Sequence, residues 1–292
     1  MRALLVAVLA LAATPAAAWK QSTSSDTGVC LAWGERAVGW SAAIPLGGQV
    51  PEEEALEVFR RSFWVWEAET CSDLRFVEGP RAERSTGFDP KGANTNVLVV
   101  RERTCADVVP DGDPCISRRS CADEYDCWEF GDGVIAMTTV TSSNCSGRIV
   151  DADIEFNAAS FRFTAVDGPR CDDSGQSGCV EMDLQNTLVH EIGHMIGLDH
   201  SEDRNATMFR TASPGETSKR ALAQDDREAL CAVYPKGGPA RTCGPAASPA
   251  ECEARRQRYH SRSGCASAGG GGGGALLAVF VAEASRRLRR RA

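Results

Sequence analysis

The sequence predicts an α+β domain with disulfide-rich loops, and three observations predict it. After Pro51, the apolar residues Leu56, Phe59, Phe63 and Trp66 recur on one helical face. Short apolar or alternating runs, such as residues 96–100 (NVLVV) and 148–157 (RIVDADIEFN), have the length and composition of strands. Thirteen cysteines, with no CxxC pair among them, fall mostly in segments rich in Asp, Gly and Pro. Such segments bury little apolar surface and need cross-links to hold a shape.

The ends of the 292-residue chain differ from its middle. Arg2, an apolar run over residues 3–13 and Ala16-Ala17-Ala18 stand in the order of a secretory leader, residues 1–18, with Trp19 opening the mature chain. The expected location is therefore secreted or at the cell surface. Every cysteine lies downstream, which in an exported protein implies disulfides. Net charge is −8, and it is more negative still without Arg2 and the arginine-rich tail. That acidity argues against a nucleic-acid partner, because phosphate repels it.

In chain order, residues 38–44 read as a first strand. Pro51 suits a first helical position, and Glu52, Glu53 and Glu54 suit the positive end of a helix dipole. Residues 74–78 and 96–100 read as strands, and 104–133 as a loop insertion holding Cys105, Cys115, Cys121 and Cys127, pinned to the surface by disulfides. Residues 133–141 and 148–157 are the next strands. Strict alternation in the second puts Ile149, Asp151, Asp153 and Glu155 on one face. A loop over 168–181 with Cys171 and Cys179 follows. Asp183 is a candidate N-cap for a helix buried through Leu184, Leu188, Ile192, Met195 and Ile196. A last helix spans about 224–233 and stops at Pro235. The domain is expected over residues 19–236, followed by a linker over 237–264 and a tail over 265–292.

Residues 190–200, HEIGHMIGLDH, carry the chemistry. Residues four apart on a helix share a face, so His190 and His194 aim two imidazoles at one point. Gly197 accepts the left-handed conformation that ends a helix, and the reversed chain returns His200 as a third nitrogen. Three His nitrogens on tetrahedral Zn²⁺ leave one position open, the mark of a catalytic site. Glu191 is the candidate base for a water at that position and the proton donor to the leaving amine. A non-catalytic, zinc-stabilised surface binding module is the contrasting reading; such a site has no need of Glu191 and closes its fourth position.

The extended pattern HExxHxxGxxH resembles the metzincin clan of metallopeptidases. Ser201 after the third histidine, Met208 in NATMF, residues 222–235 (LAQDDREALCAVYP) and residues 59–70 (FRRSFWVWEAET) narrow the resemblance to the matrixins over roughly 30–236, with another metzincin family as the alternative. The resemblance implies a metzincin-type zincin fold, a twisted mixed sheet of five strands with three helices. It implies a zinc endopeptidase acting on proteins or peptides as a monomer. Met208 becomes the Met-turn methionine, an apolar floor beneath the metal. The antiparallel edge strand, here 133–141, binds substrate by β-augmentation, and residues 209–218 shape the pocket after the scissile bond.

Two family features are missing. No PRCGxPD-type prodomain switch occurs, and the one early cysteine, Cys30, is read as a disulfide partner. A second, structural zinc lacks its histidines, since only His260 remains outside the motif. Asp111, Asp113, Asp151, Asp153 and Asp172 are candidate Ca²⁺ ligands in its place. In the tail, Cys265, six glycines, an apolar stretch over 275–282 and five terminal arginines resemble the C-terminal sorting tag of myxobacterial exported proteins, which implies surface anchoring. If Cys265 belongs to the tag, twelve cysteines remain for six disulfides.

Overall fold

The computed structural model describes residues 18–25, 27–43, 49–118, 120–243, 248, 250–252 and 254, and the backbone of 275–283. Residues 1–17 of the expected leader over 1–18, Cys265, His260 and the terminal arginines lie outside the described residues.

Two short strands, β1 (Lys20–Gln21) and β2 (Ala32–Trp33), precede β3 (Ala37–Ala42). Helix α1 (Glu52–Glu67) starts after Pro51, with three glutamates in its first turn. Strands β4 (Arg75–Glu78) and β5 (Val97–Arg101) follow. The insertion folds as three helical turns, α2 (Cys105–Val108), α3 (Pro114–Arg118) and α4 (Cys121–Tyr125). Strands β6 (Val134–Ser142) and β7 (Arg148–Asn157) form an antiparallel pair. Two-residue strands β8 (Phe163–Thr164) and β9 (Met182–Asp183) lead into helix α5 (Leu184–Met195). After it come β10 (Leu198–Asp199), β11 (Thr211–Ala212), helix α6 (Gln224–Val233) and the tail strand β12 (Ala275–Glu283).

The main sheet runs β11-β12-β6-β7-β5-β3-β4, with β2 paired to β7. Strands β4, β3, β5 and β7 are mutually parallel, and β6 is antiparallel to β7. Strand β6, expected at the edge, has β12 along its outer side in parallel register, so it is not the sheet's edge in this structure.

One face of the sheet packs on the helices. Leu98, Val100, Ala152, Ile154 and Phe156 meet Leu56, Phe59, Phe63 and Trp66 of α1 and Leu188 and Ile192 of α5 in one buried cluster. The Trp66 indole N–H donates to the carbonyl of Val189 at 2.8 Å, which fixes α1 against α5. The apolar stripe read from the sequence is therefore core.

The opposite face is polar and buried. Asp151, Asp153 and Glu155 lie on it, as alternation predicts, but Ile149 does not. A register shift between Thr141 and Ser142 leaves Val150 without a partner and turns Ile149 into the helix-side core. Asp153 accepts from the N–H of Gly87 and of Val97. The fully buried Arg101 donates to Glu155 at 2.7 Å and to Asp123 and Asp126 at 2.9 Å. This network, rather than a cross-link, ties the insertion to the sheet: both its disulfides, Cys105–Cys127 and Cys115–Cys121, are internal to it.

Four further bridges pair Cys30 with Cys243, Cys71 with Cys231, Cys145 with Cys252, and Cys171 with Cys179. Cys30 is thus a disulfide partner. The bridges to Cys243 and Cys252 also hold part of the segment read as a linker against the domain. Among the described residues, no helix is long and apolar enough to cross a membrane.

Candidate metal centre

Helix α5 is capped by Asp183, whose carboxylate accepts from the N–H of Asn186 at 2.6 Å. It is buried around almost its whole circumference. Gly197 then adopts φ 86°, and a Cβ there would overlap the carbonyl oxygen of Leu31. The turn it permits carries His200 back toward the helix. The Nε2 atom of His194 lies 3.0 Å from that of His190 and 3.3 Å from that of His200. Tetrahedral zinc with nitrogens at about 2.0–2.1 Å has ligand–ligand edges of about 3.3 Å, so the three donors fit it.

Backbone carbonyls set the tautomers. The Nδ1 of His190 lies 2.6 Å from the oxygen of Thr207, and that of His194 lies 2.8 Å from the oxygen of Leu198. A carbonyl only accepts, so each Nδ1 carries the proton and each Nε2 offers a lone pair. Burial, then the neighbouring imidazoles, hold both rings well below the usual histidine range, which keeps them neutral.

Glu191 is fully buried beside this trio. One carboxylate oxygen, Oε2, accepts from the hydroxyl of Thr138 on β6 at 2.5 Å, and Oε1 has no partner among the described residues. Burial pushes its carboxyl up to about 8, against the opposing pull of Thr138 and Lys219.

Met208 is buried beneath α5. Gly193 makes its approach possible, because a Cβ there would overlap the Met208 sulfur. Helix α6 holds the surrounding loop through two adjacent carboxylates. Asp226 accepts from the N–H of Thr207, Met208 and Ala223 at 2.7–3.0 Å. Asp225 accepts from the Ser201 hydroxyl at 2.6 Å and from the N–H of Ala18 and Trp19 at 3.0 Å. Strand β1 pairs with β10, so the start of the domain lines the turn that delivers His200.

Sequence reasoning named His190, Glu191, His194, His200 and Met208, and the structure brings all five together. It missed Thr138, Gly193, Asp225 and Asp226. Thr138 left no trace in a run of strand-forming residues. The five candidate Ca²⁺ ligands do not converge: among the described residues, the histidine trio is the one group of three His, Cys, Asp or Glu side chains placed to share an ion. Asp113 instead accepts from the Tyr125 hydroxyl and the N–H of Cys115, while Asp111 and Asp172 are exposed.

Comparison with known proteins finds relatives of part of the chain. Residues 116–235 match the family model described as Matrixin. The chain is 46% identical over 52 residues to Metalloendoproteinase 1 of Glycine max, covering 18% of this chain and 17% of that protein. It is 33% identical over 103 residues to Metalloendoproteinase 4-MMP of Arabidopsis thaliana, covering 35% and 26%. With neutrophil collagenase of Homo sapiens it shares 38% over 66 residues, covering 22% and 14%. The matched stretch thus spans about a quarter or less of these relatives' length.

Proposed function

We propose that this chain is an exported zinc-dependent endopeptidase that hydrolyses peptide bonds of proteins, with Glu191 as its general base. One observation carries the reading: three imidazole Nε2 atoms converge beside a buried carboxylate that keeps one oxygen unpartnered. A purely structural metal site gives no reason to bury such a carboxylate at the desolvation it costs.

His190, His194 and His200 are the proposed ligands. Zinc bound there supplies Lewis acidity toward a carbonyl and lowers the pKa of a water to about 7. Glu191 Oε1 takes the proton of the attacking water and hands it to the leaving amine nitrogen. An extended substrate pairs along the outer side of β6, which requires β12 to leave it. Residues 209–218 shape the pocket after the scissile bond.

Six disulfides suit the oxidising compartment to which a leader over 1–18 delivers the chain. Surface attachment through the tail, with Cys265 left for that purpose, completes the proposal. The test incubates the disulfide-intact protein and its Glu191→Ala variant with a diverse peptide library, with and without a zinc chelator. Cleavage by the unmodified protein alone, abolished by chelation and restored by zinc, is expected. Cleavage that survives both treatments overturns the mechanism.

A further inference from the structure

The helix-facing side of β6 presents Ala136, Thr138 and Val140, and only one of these carries a polar atom. Thr138 is fully buried, so its hydroxyl must find a partner within the protein. It finds two on one residue. Its Oγ1 lies 2.5 Å from Glu191 Oε2 and 3.3 Å from the Glu191 carbonyl oxygen. Among the described residues no other group hydrogen-bonds the Glu191 carboxylate, and Oε1 has no partner.

We infer that Thr138 is a positioning residue for Glu191, fixing Oε2 so that Oε1 alone faces the reacting water. The inference rests on the reading of Glu191 as the base. The side chain suits the task in three ways. Its branched Cβ restricts χ1, so the hydroxyl is aimed before substrate arrives. It sits on a strand held through a long antiparallel pairing with β7 rather than on a loop. Its single hydrogen also has a place in either state of the base. It donates to Oε2 whether Oε1 is ionised or carries the proton taken from water, and the Glu191 carbonyl lies 3.3 Å away as its second acceptor.

The test compares Thr138→Val, which keeps the shape and deletes the hydroxyl, with Thr138→Ser, which keeps the hydroxyl. Zinc content and thermal midpoint are measured on each, with kcat and KM for a quenched fluorescent peptide. Thr138→Val is expected to bind a full equivalent of zinc and to lose about 10- to 100-fold in kcat with KM little changed, as a base displaced by an ångström does. Thr138→Ser is expected to recover most of that loss. A second readout needs no activity: in crystals of the metal-free proteins, Glu191 should hold one conformer in the unmodified and Ser forms and several in the Val form. An unchanged kcat in Thr138→Val, a loss confined to KM or zinc content, or a Ser variant no better than Val overturns the inference. Failure of the functional reading looks different, since then the unmodified protein cleaves nothing while the Glu191 conformers still diverge.

Discussion

The Nδ1 atom of His190 lies 2.6 Å from the carbonyl oxygen of Thr207, so the first candidate ligand is oriented by the residue preceding Met208. Thr207 is in turn held by Asp226, which accepts its N–H together with those of Met208 and Ala223. The candidate ligand, the loop carrying Met208 and the last helix thus form one chain of hydrogen bonds. Replacing Asp226 with Asn puts an NH₂ where a backbone N–H must be accepted. Zinc affinity of Asp226→Asn is expected to fall by about 10- to 100-fold, the usual effect of losing such outer support. Competition with a fluorescent chelator measures it. Unchanged affinity would show that the Thr207 carbonyl holds its place without α6.

Gly193 and Met208 make a second coupled pair. A methyl group on residue 193 collides with the sulfur, with Trp66 behind it. Gly193→Ala is therefore expected to cost about 1–3 kcal/mol by overpacking, although alanine favours a helix more than glycine does. Met208→Ala makes room, so the double variant should be more stable than the two separate losses add up to. Chemical denaturation of all four forms yields the coupling. Additive losses would place the strain elsewhere.

How much of this was legible beforehand divides by the range of the interaction. The three long helices follow from local signals: Pro51 with three glutamates, Asp183 as a cap, and Gln224–Val233 before Pro235; the short turns α2, α3 and α4 fall in a segment that reads as a loop. The three histidines and Glu191 are legible because helical geometry and one glycine fix their offsets. What stayed hidden depends on pairings across the sheet. The bulge that turns Ile149 inward is set by its partner strand. Thr138 acquires a role only when β6 lies over α5. Arg101 reads as an ordinary charge at the end of a strand until Glu155 is placed beside it and Asp123 and Asp126 fold over it.

The tail strand gives a third prediction. Ala275–Glu283 runs parallel along β6 and antiparallel to β11, which is the line a substrate would follow. A tethered strand competes at an effective concentration on the order of 1 mM. Shortening the chain to end at residue 264 is expected to raise kcat/KM on the order of 10-fold, mainly through a lower KM. Steady-state kinetics of the two forms under one condition is the check. Equal constants would mean that β12 does not hold the outer side of β6 against substrate.

The buried acids on the far face of the sheet set a pH dependence. Burial pushes Asp151 up to about 6, and Asp153 well above its usual range with Asp151 adding to the effect. Burial likewise outweighs Arg101 and pushes Glu155 up to about 7. Each group binds its proton more tightly folded than unfolded. Their contribution to stability is therefore full below about pH 4 and is lost as pH rises through 6 to 7. Asn imitates the protonated form of Asp151 at every pH. Relative to the unmodified protein, Asp151→Asn should thus gain stability between pH 4.5 and pH 8, by about 2 kcal/mol, the part of a two-unit shift that falls within that range. Urea midpoints of both proteins, zinc-saturated at each pH, supply the comparison. The effect of pH on metal binding is common to both and drops out of the difference. A constant gap, or one that moves the other way, would mean that Asp151 stays ionised in the fold despite its burial.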